Sequence, residues 1–569
     1  MTARTRRLAL LTRRSSTFAA VSLVAAALAY GCGMDAPSDG PKPLADAGDE
    51  AAPGDASPPD GNVTGPDGAT EDARSDASLG DASADADADA GDGAILVDAG
   101  ADADAGEPPP PGPLSPAYVD YEINHILAAG QSNAVASGAR PQNTLPAGTT
   151  FTNAQPYGNL MFDTGVMTSR NCNGSGCPNA NYVAPLAFAP LIENDAFFGG
   201  GDRVETASSA MANAASYLAL NLFEFNVRPG YPAKHDVLVS LHGRSGNTYW
   251  CLRKGGCNYK PATEIKAFDE AVKQVQAAKA LADALGKSYV VRAVTTIHGE
   301  SDHYGYQDNG DNHPELPLAG TNGVANRIQE YDDALIEWQE DYEAMVKGIT
   351  GQAEPVPLFV SGLSGWTGAR TSKLANLQLV ASQRAPGKVV YVAPGYIFDP
   401  AVRANGTLEC LHYSLLGQQH LGEYFAKVYT RVVFKKEAWA PVHPTEVTRA
   451  GNVVTVKFHV PSPPLVLDTA LVASIANYGF DFVEGGVLAP ITSVVVSAPD
   501  TVTITLANAP GGGPKRLRYA LNQPVPGCIG PGVKFAGGAR GNLRDSDATP
   551  SPHGFPLYNW SANFDVAVP

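Results

Sequence analysis

The sequence has no Gly-x-Ser-x-Gly elbow, no Cys-x-x-Cys pair and no apolar run long enough to read as a confident membrane span. The first absence removes a familiar local signature of a serine nucleophile. The second removes zinc-site spacing, and the third leaves no transmembrane helix to assign. Basic charge is equally scarce where it would matter. Residues 111–569 hold 33 Lys and Arg against 38 Asp and Glu, which gives no electrostatic footprint for nucleic acid. The formal charge of −18 sits instead in one segment, Gly33 to Pro110, with 20 acidic residues against Lys42 and Arg74. "DNGDNHPE", Asp308 to Glu315, lacks the rest of a calcium loop and reads as a solvated turn. There is no internal repeat, and neither a metal nor an organic cofactor is expected.

What is present begins with an export signal. Arginines 4, 6, 7, 13 and 14 precede an uncharged apolar run from Thr17 to Gly31 and then Cys32, the layout of a secretory signal peptide. "LAYGC" is similar to a bacterial lipobox, with Cys32 as the lipidated residue, although Ala29 and Tyr30 depart from the usual pattern. The expectation is a protein lipid-anchored at the bacterial cell envelope or surface, with plain secretion as the alternative. Its membrane contact would then be confined to the anchor. Six further cysteines suit an oxidising compartment. Cys172 with Cys177 and Cys251 with Cys257 are spaced for local disulfides, leaving Cys410 and Cys528 as a third pair. Residues 33–115, rich in Asp, Ala, Gly and Pro, have too few large apolar side chains to offset ordering entropy and read as a disordered acidic tether.

From Tyr118 apolar strands alternate with amphipathic helices. "INHILAAG", "HDVLVSLHG", "YVVRAVTTIHG", "PLFVSGL" and "KVVYVAP" read as strands. Ile265, Phe268, Val272 and Val275 form one helical face, and Ile328, Tyr331, Leu335, Trp338, Tyr342 and Met345 form another. A third helix is expected to start at an N-cap, Ser414. This pattern predicts an α/β domain over 116–437, a parallel sheet covered on both faces with ligands at the carboxyl ends of its strands. After about Trp439 the period becomes two, as at Val454, Val456, Phe458 and Val460 and at Val502, Ile504 and Leu506. An all-β sandwich is therefore expected over 438–569. Within it Arg544, Tyr558 and Trp560 suit either sugar binding or sealing of the boundary with the first domain.

Four polar loops follow predicted strands: "GQSN" at 130–133, "GRSGNTYW" at 243–250, "HGESD" at 298–302 and "ECLHYS" at 409–414. Alone, Ser132 is an ordinary loop serine. In this order the loops resemble the SGNH hydrolases, and among them the sialate O-acetylesterase-like carbohydrate esterases of carbohydrate esterase family 6. The resemblance covers about residues 118–435 and rests on Gly130-Gln131-Ser132-Asn133, Gly243 to Gly246 with Trp250, Gly299-Glu300-Ser301-Asp302, and His412.

The resemblance implies a flavodoxin-like three-layer α/β/α domain that removes O-acetyl groups from sugars or polysaccharides. A monomer is expected. It implies Ser132 as nucleophile and His412 as general base. Gln131, Asn133, Gly243, Gly246 and His298 are implied as oxyanion or substrate contacts. His298 stands where the family has glutamine. The family's D-x-x-H is Glu409-Cys410-Leu411-His412 here, so Glu409 and Glu300 compete as the acid behind His412, with Asp399 a third candidate. Other functions stay open: a non-catalytic glycan-binding lipoprotein, or a lipase or thioesterase for longer acyl chains.

Overall fold

Ile123–Gly130 (β1) contains no Asp, Glu, Lys or Arg, and all eight residues are buried, as expected of a central strand covered on both faces. The computed structural model of the protein describes residues 118–119, 121–139, 155–169, 182–192, 206–221, 235–257, 265–305, 316–363, 372–402, 408–522 and 539–569. The strands Leu160–Phe162 (β2), Phe188–Pro190 (β3), Val237–Leu241 (β4), Tyr289–Ile297 (β5), Leu358–Ser361 (β6) and Val389–Ala393 (β7) join β1 in one sheet. Its order is β3-β2-β4-β1-β5-β6-β7. All pairings are parallel except β2 with β3. The long parallel strands thus run 2-1-3-4-5, and the chain reverses direction across the sheet beside β1. Crevices for ligands form at such switch points.

Helices cover both faces. Ala207–Asn221 (α1) and Leu415–Tyr429 (α7) share an apolar cluster with Ile126, Ala128, Val239 and Val390. Ala267–Ala284 (α3), Tyr331–Thr350 (α5) and Leu374–Arg384 (α6) pack with Leu127, Leu238, Val291 and Val360 on the other side. The short helices Tyr249–Leu252 (α2) and Glu300–Gly305 (α4) follow β4 and β5 directly. The expected face of α5 is realised: Tyr331, Leu335, Trp338 and Tyr342 are fully enclosed, with Met345 at the margin. Ser414 caps α7 as expected, its hydroxyl accepting from the Gly417 N–H at 3.1 Å.

Beyond residue 442 the described residues form β-strands and loops, with one 3-10 turn at Ala476–Gly479. One antiparallel sheet runs His443–Ala450, Val453–His459, Thr501–Leu506, Ile491–Ala498, and a second runs Val487–Ala489, Phe480–Glu484, Lys515–Tyr519, Phe564–Val568. The alternating residues Val454, Val456, Phe458, Val502 and Ile504 point inward and join Phe480, Phe482, Leu517 and Phe564 in one core. Phe458 and Phe564 meet at 6.1 Å between ring centroids. The same cluster continues into Tyr424, Phe425 and Tyr429 of α7, so α7 is shared between the α/β and all-β regions. Arg544 bonds Asp468 at 2.7 Å and lies 3.7 Å over the Tyr558 ring. Trp560 is enclosed against Tyr396. Trp560 therefore seals this boundary, and the Arg544 guanidinium is spent within the all-β region.

Cys251 and Cys257 form the expected disulfide. Cys32, Cys172, Cys177, Cys528, the tether and the stretch 308–315 lie outside the described residues, as do the side chains of Glu409 and Cys410. Among the described residues no helix is long and apolar enough to cross a membrane.

Candidate active site

The register of the sheet brings three of the four loops to one edge. Gly130 pairs with Ile297, and Ala128 with Leu241, so the segments following β1, β4 and β5 leave the sheet side by side. Gly130 has φ +126°, and a Cβ there would fall 2.3 Å from the Ile297 carbonyl oxygen; only glycine allows this approach. Gly243 is similarly confined, its would-be Cβ 3.0 Å from the Gly130 carbonyl, while the Arg244 N–H donates to that carbonyl at 2.9 Å.

After Gly130 the chain turns sharply, with Ala134 N–H donating to Gln131 and Ser137 N–H to Ser132, both at 2.9 Å. Ser132 sits on this turn, 8% exposed. Its neighbours act as braces. The Gln131 carboxamide oxygen accepts from the N–H groups of Gly299 and Ser301, at 3.4 and 3.0 Å. Asn133 is fully buried; it donates to Glu300 Oε1 at 3.1 Å and to the Leu411 carbonyl at 2.9 Å, and accepts from the Tyr413 N–H at 3.0 Å. Gln418 donates to the Asn133 carbonyl at 2.9 Å. Buried polar groups must be satisfied: Asn133 through both ends of its carboxamide, and Gln131 through its oxygen, tie the Ser132 turn to α4 and to the strand of His412.

That strand, Leu408–Tyr413 (β9), pairs with Pro400–Val402 (β8). His412 is half-buried and backs onto the Ser132 turn: a Cβ on Gly138, at φ +87°, would lie 2.8 Å from His412 Cβ. Glu300, 4% exposed, opens α4 beside it. Burial raises the Glu300 pKa above the ordinary glutamate value, opposed by its backbone bond, the Asn133 bond and the charge of His412. Its second oxygen, Oε2, is buried with no hydrogen-bond partner among the described residues. Serine turn, histidine and buried carboxylate thus stand together, with Asn133 touching the segments of all three. The Asp399 backbone carbonyl accepts from the Ser414 N–H at 2.9 Å.

His298 does not face an open site. Its Nδ1 lies 2.7 Å from the Tyr331 hydroxyl, and its Nε2 lies 3.2 Å from both the Asn247 carbonyl and Asp302 Oδ2. Two acceptors at Nε2 place the proton there, so Nδ1 accepts from Tyr331. The oxyanion role expected of His298 is accordingly replaced by a positioning one: the ring anchors the 243–248 loop through Asn247. Asp302 also accepts from the Tyr249 N–H at 2.9 Å, and burial pushes its pKa up to about 7. Gly246, at φ +74° with open space around it, serves the turn. Arg244 belongs to a buried ion pair with Glu270 at 2.6 Å. Trp250 lies under the Arg253 guanidinium, 4.6 Å from ring centroid to Cζ.

The sequence reading missed Gly138, Asn247, Tyr331 and Gln418. Tyr331 and Gln418 resemble ordinary helix residues, and only the fold reveals the loops they hold. Asn247 alone carried a signal, a carboxamide in the Gly-rich loop. Among the described residues no group of three or more His, Cys, Asp or Glu is arranged to hold a metal ion.

No protein-family model matches the chain, and no curated protein matches it. Among solved structures the chain is similar to a protein described as a novel carbohydrate acetylesterase from Xanthomonas citri, at 14% identity and a TM-score of 0.44, over 78% of this chain and 80% of that one.

Proposed function

We propose that this protein is a serine ester hydrolase of the SGNH type that removes O-acetyl groups from carbohydrate. The observation that carries the reading is the placement of Glu300 and His412 against the Ser132 turn, all three linked through Asn133. Ester hydrolysis requires a nucleophile, a base, a group that orients the base and donors for the developing oxyanion.

Ser132 Oγ attacks the acyl carbonyl while His412 takes its proton. Glu300 orients the imidazole and stabilises the imidazolium, a role that Asn133 supports by holding its carboxylate in place. His412 then protonates the leaving sugar oxygen and activates the water that releases acetate. N–H donors for the oxyanion come from Ser132 and the loop that begins at Gly243. Each such donor is worth about 3 kcal/mol in the transition state. The strand order 2-1-3-4-5 supports a flavodoxin-like sheet. The acetylated carbohydrate substrate and the lipid-anchored location at the cell envelope rest on the sequence motifs.

Acetate release from 4-nitrophenyl acetate and from acetylated xylan tests the reading. The parent should release acetate from both, Ser132→Ala should lose at least a thousandfold in kcat, and a phosphonate should label Ser132 alone. Parent-like turnover by Ser132→Ala would overturn the assignment. Saturable glycan binding without turnover would instead establish a binding protein, and preference for long acyl esters a lipase or thioesterase.

A further inference from the structure

A second cluster of reactive groups lies where α7 meets the all-β region, and the hydrolase chemistry makes no use of it. Lys427 is 1% exposed. Its Nζ donates to the Leu557 carbonyl and to Asn559 Oδ1, each at 2.5 Å, and lies 3.6 Å from Asp547 Oδ2. The Asn559 carboxamide is oriented by its other end: Nδ2 donates to Asp545 Oδ2 at 2.8 Å and to Asp547 Oδ2 at 3.0 Å. The same carboxylate oxygen of Asp547 therefore sits between an amine and the amide nitrogen. Asp547 Oδ1 is occupied by the Thr549 N–H and hydroxyl, which leaves Oδ2 facing this pair, with Arg431 3.5 Å away. The Tyr424 ring lies 4.8 Å from Nζ and the Trp439 ring 6.0 Å.

We propose that Lys427 and Asn559 condense into an intramolecular isopeptide bond. The Lys427 amine attacks Asn559 Cγ and forms the new N–C bond. Asp547 Oδ2 accepts the proton released by the attacking nitrogen and delivers it to Nδ2. The old C–N bond breaks and ammonia leaves, so that one amine and one carboxamide become one secondary amide and one ammonia. No oxidant or co-reactant enters.

Three features favour this site. A lysine amine is nucleophilic only when neutral; burial lowers the Lys427 pKa to about 8, a fall that Asp547 and Asp545 oppose. Fixed contact between the reacting groups supplies an effective molarity of roughly 10⁵ M or more. Asn559 is also locked on its backbone side, its N–H donating to Asp545 Oδ1 at 2.8 Å. By contrast Lys279 pairs with Asp283 and Lys373 with Glu330, carboxylates at solvent-reached positions. The bond would join α7, whose preceding residues carry His412, to the 545–559 segment. It does not depend on the proposed hydrolase activity.

Tryptic mapping of the full chain under reducing conditions decides the matter. The expected product is a branched peptide joining residues 404–431, uncut at Lys427, to residues 545–569, lighter than the sum of its parts by one ammonia, about 17 Da. Recovery of the 428–431 and 545–569 peptides unlinked, at full mass, overturns the proposal. Asp547→Asn should give the unlinked peptides. Complete linkage in that variant would refute the proton relay, and the parent's map decides the bond itself whether or not the variant folds.

Discussion

Replacing Glu300 by glutamine separates charge from shape at the centre of the site. The glutamine oxygen can still accept from Asn133, so the brace between the Ser132 turn and α4 survives. What disappears is the negative charge facing His412. In the serine triad the equivalent acid-to-amide change lowers kcat about 10⁴-fold. Asn133 continues to hold the loops here, so a loss of roughly 10³- to 10⁴-fold is expected, equal to about 4 to 5.5 kcal/mol. KM should stay within about threefold, because Glu300 has no assigned contact with substrate. Stability should move the other way. The Glu300 pKa is raised on folding, so its ionised form opposes folding. That penalty develops as pH rises from the ordinary glutamate range toward the folded pKa and persists above it. The neutral variant escapes it and should be at least as stable as the parent at pH 7. Acetate release and urea denaturation on the same preparations measure both. A kcat within about tenfold of the parent refutes the assignment, as does a collapse of activity confined to Glu409→Gln.

Asp302, raised to about 7 by burial, should contribute a similar pH dependence: its ionisation opposes folding progressively from about pH 4 to pH 7. Asp302→Asn should therefore gain stability relative to the parent between those limits, and a difference constant across pH would contradict this. Arg244→Met strands the Glu270 carboxylate among Thr168 and Ser169; denaturation should register a loss of about 3 to 5 kcal/mol, and a change under 1 kcal/mol would show that Glu270 is reached by solvent. Gly138→Ala would press a Cβ against His412 and Ala401. Displacement of the base by up to an ångström should lower kcat about 100-fold while the variant still folds, and parent-like turnover would separate His412 from the Ser132 turn.

Much of this was legible in the chain because strand and helix periods are local. The apolar run 123–130 and the face from Ile328 to Tyr342 fix a strand and a helix without reference to anything distant. The order of the four loops was legible for the same reason. What each polar side chain does there was not. Gln131, Asn133 and His298 look alike as polar residues beside a nucleophile. Whether they face substrate or another loop depends on partners 33 to 280 positions away, such as Tyr331 for His298 and Tyr413 for Asn133. In the sequence Glu409 competes with Glu300 through its proximity to His412, and Glu300 through its place in the Gly-Glu-Ser-Asp motif; the sheet places Glu300 just past the end of the strand adjacent to β1, while the Glu409 side chain lies outside the described residues.

The buried carboxylates divide in a way that sequence cannot anticipate. Glu270 is held below its ordinary pKa: burial pushes it up, but Arg244, Thr168 and Ser169 more than compensate. Asp468 follows the same logic, with two backbone N–H groups and Arg544 outweighing its burial. These are structural anions, each with a cation against it. Among the described residues the carboxylates raised above their ordinary values are Glu300, Asp302 and Asp545. In each the first cause is burial, and it outweighs the neighbours that oppose it, such as Asn133 for Glu300 and Lys427 for Asp545. A fold under selection for stability alone would compensate such groups fully or replace them. Two of the three lie in α4 beside Ser132 and His412, and the third orients the Asn559 carboxamide against Lys427. The destabilised carboxylates therefore coincide with the two places where the geometry supports covalent chemistry, as expected when pKa perturbation is retained for reactivity.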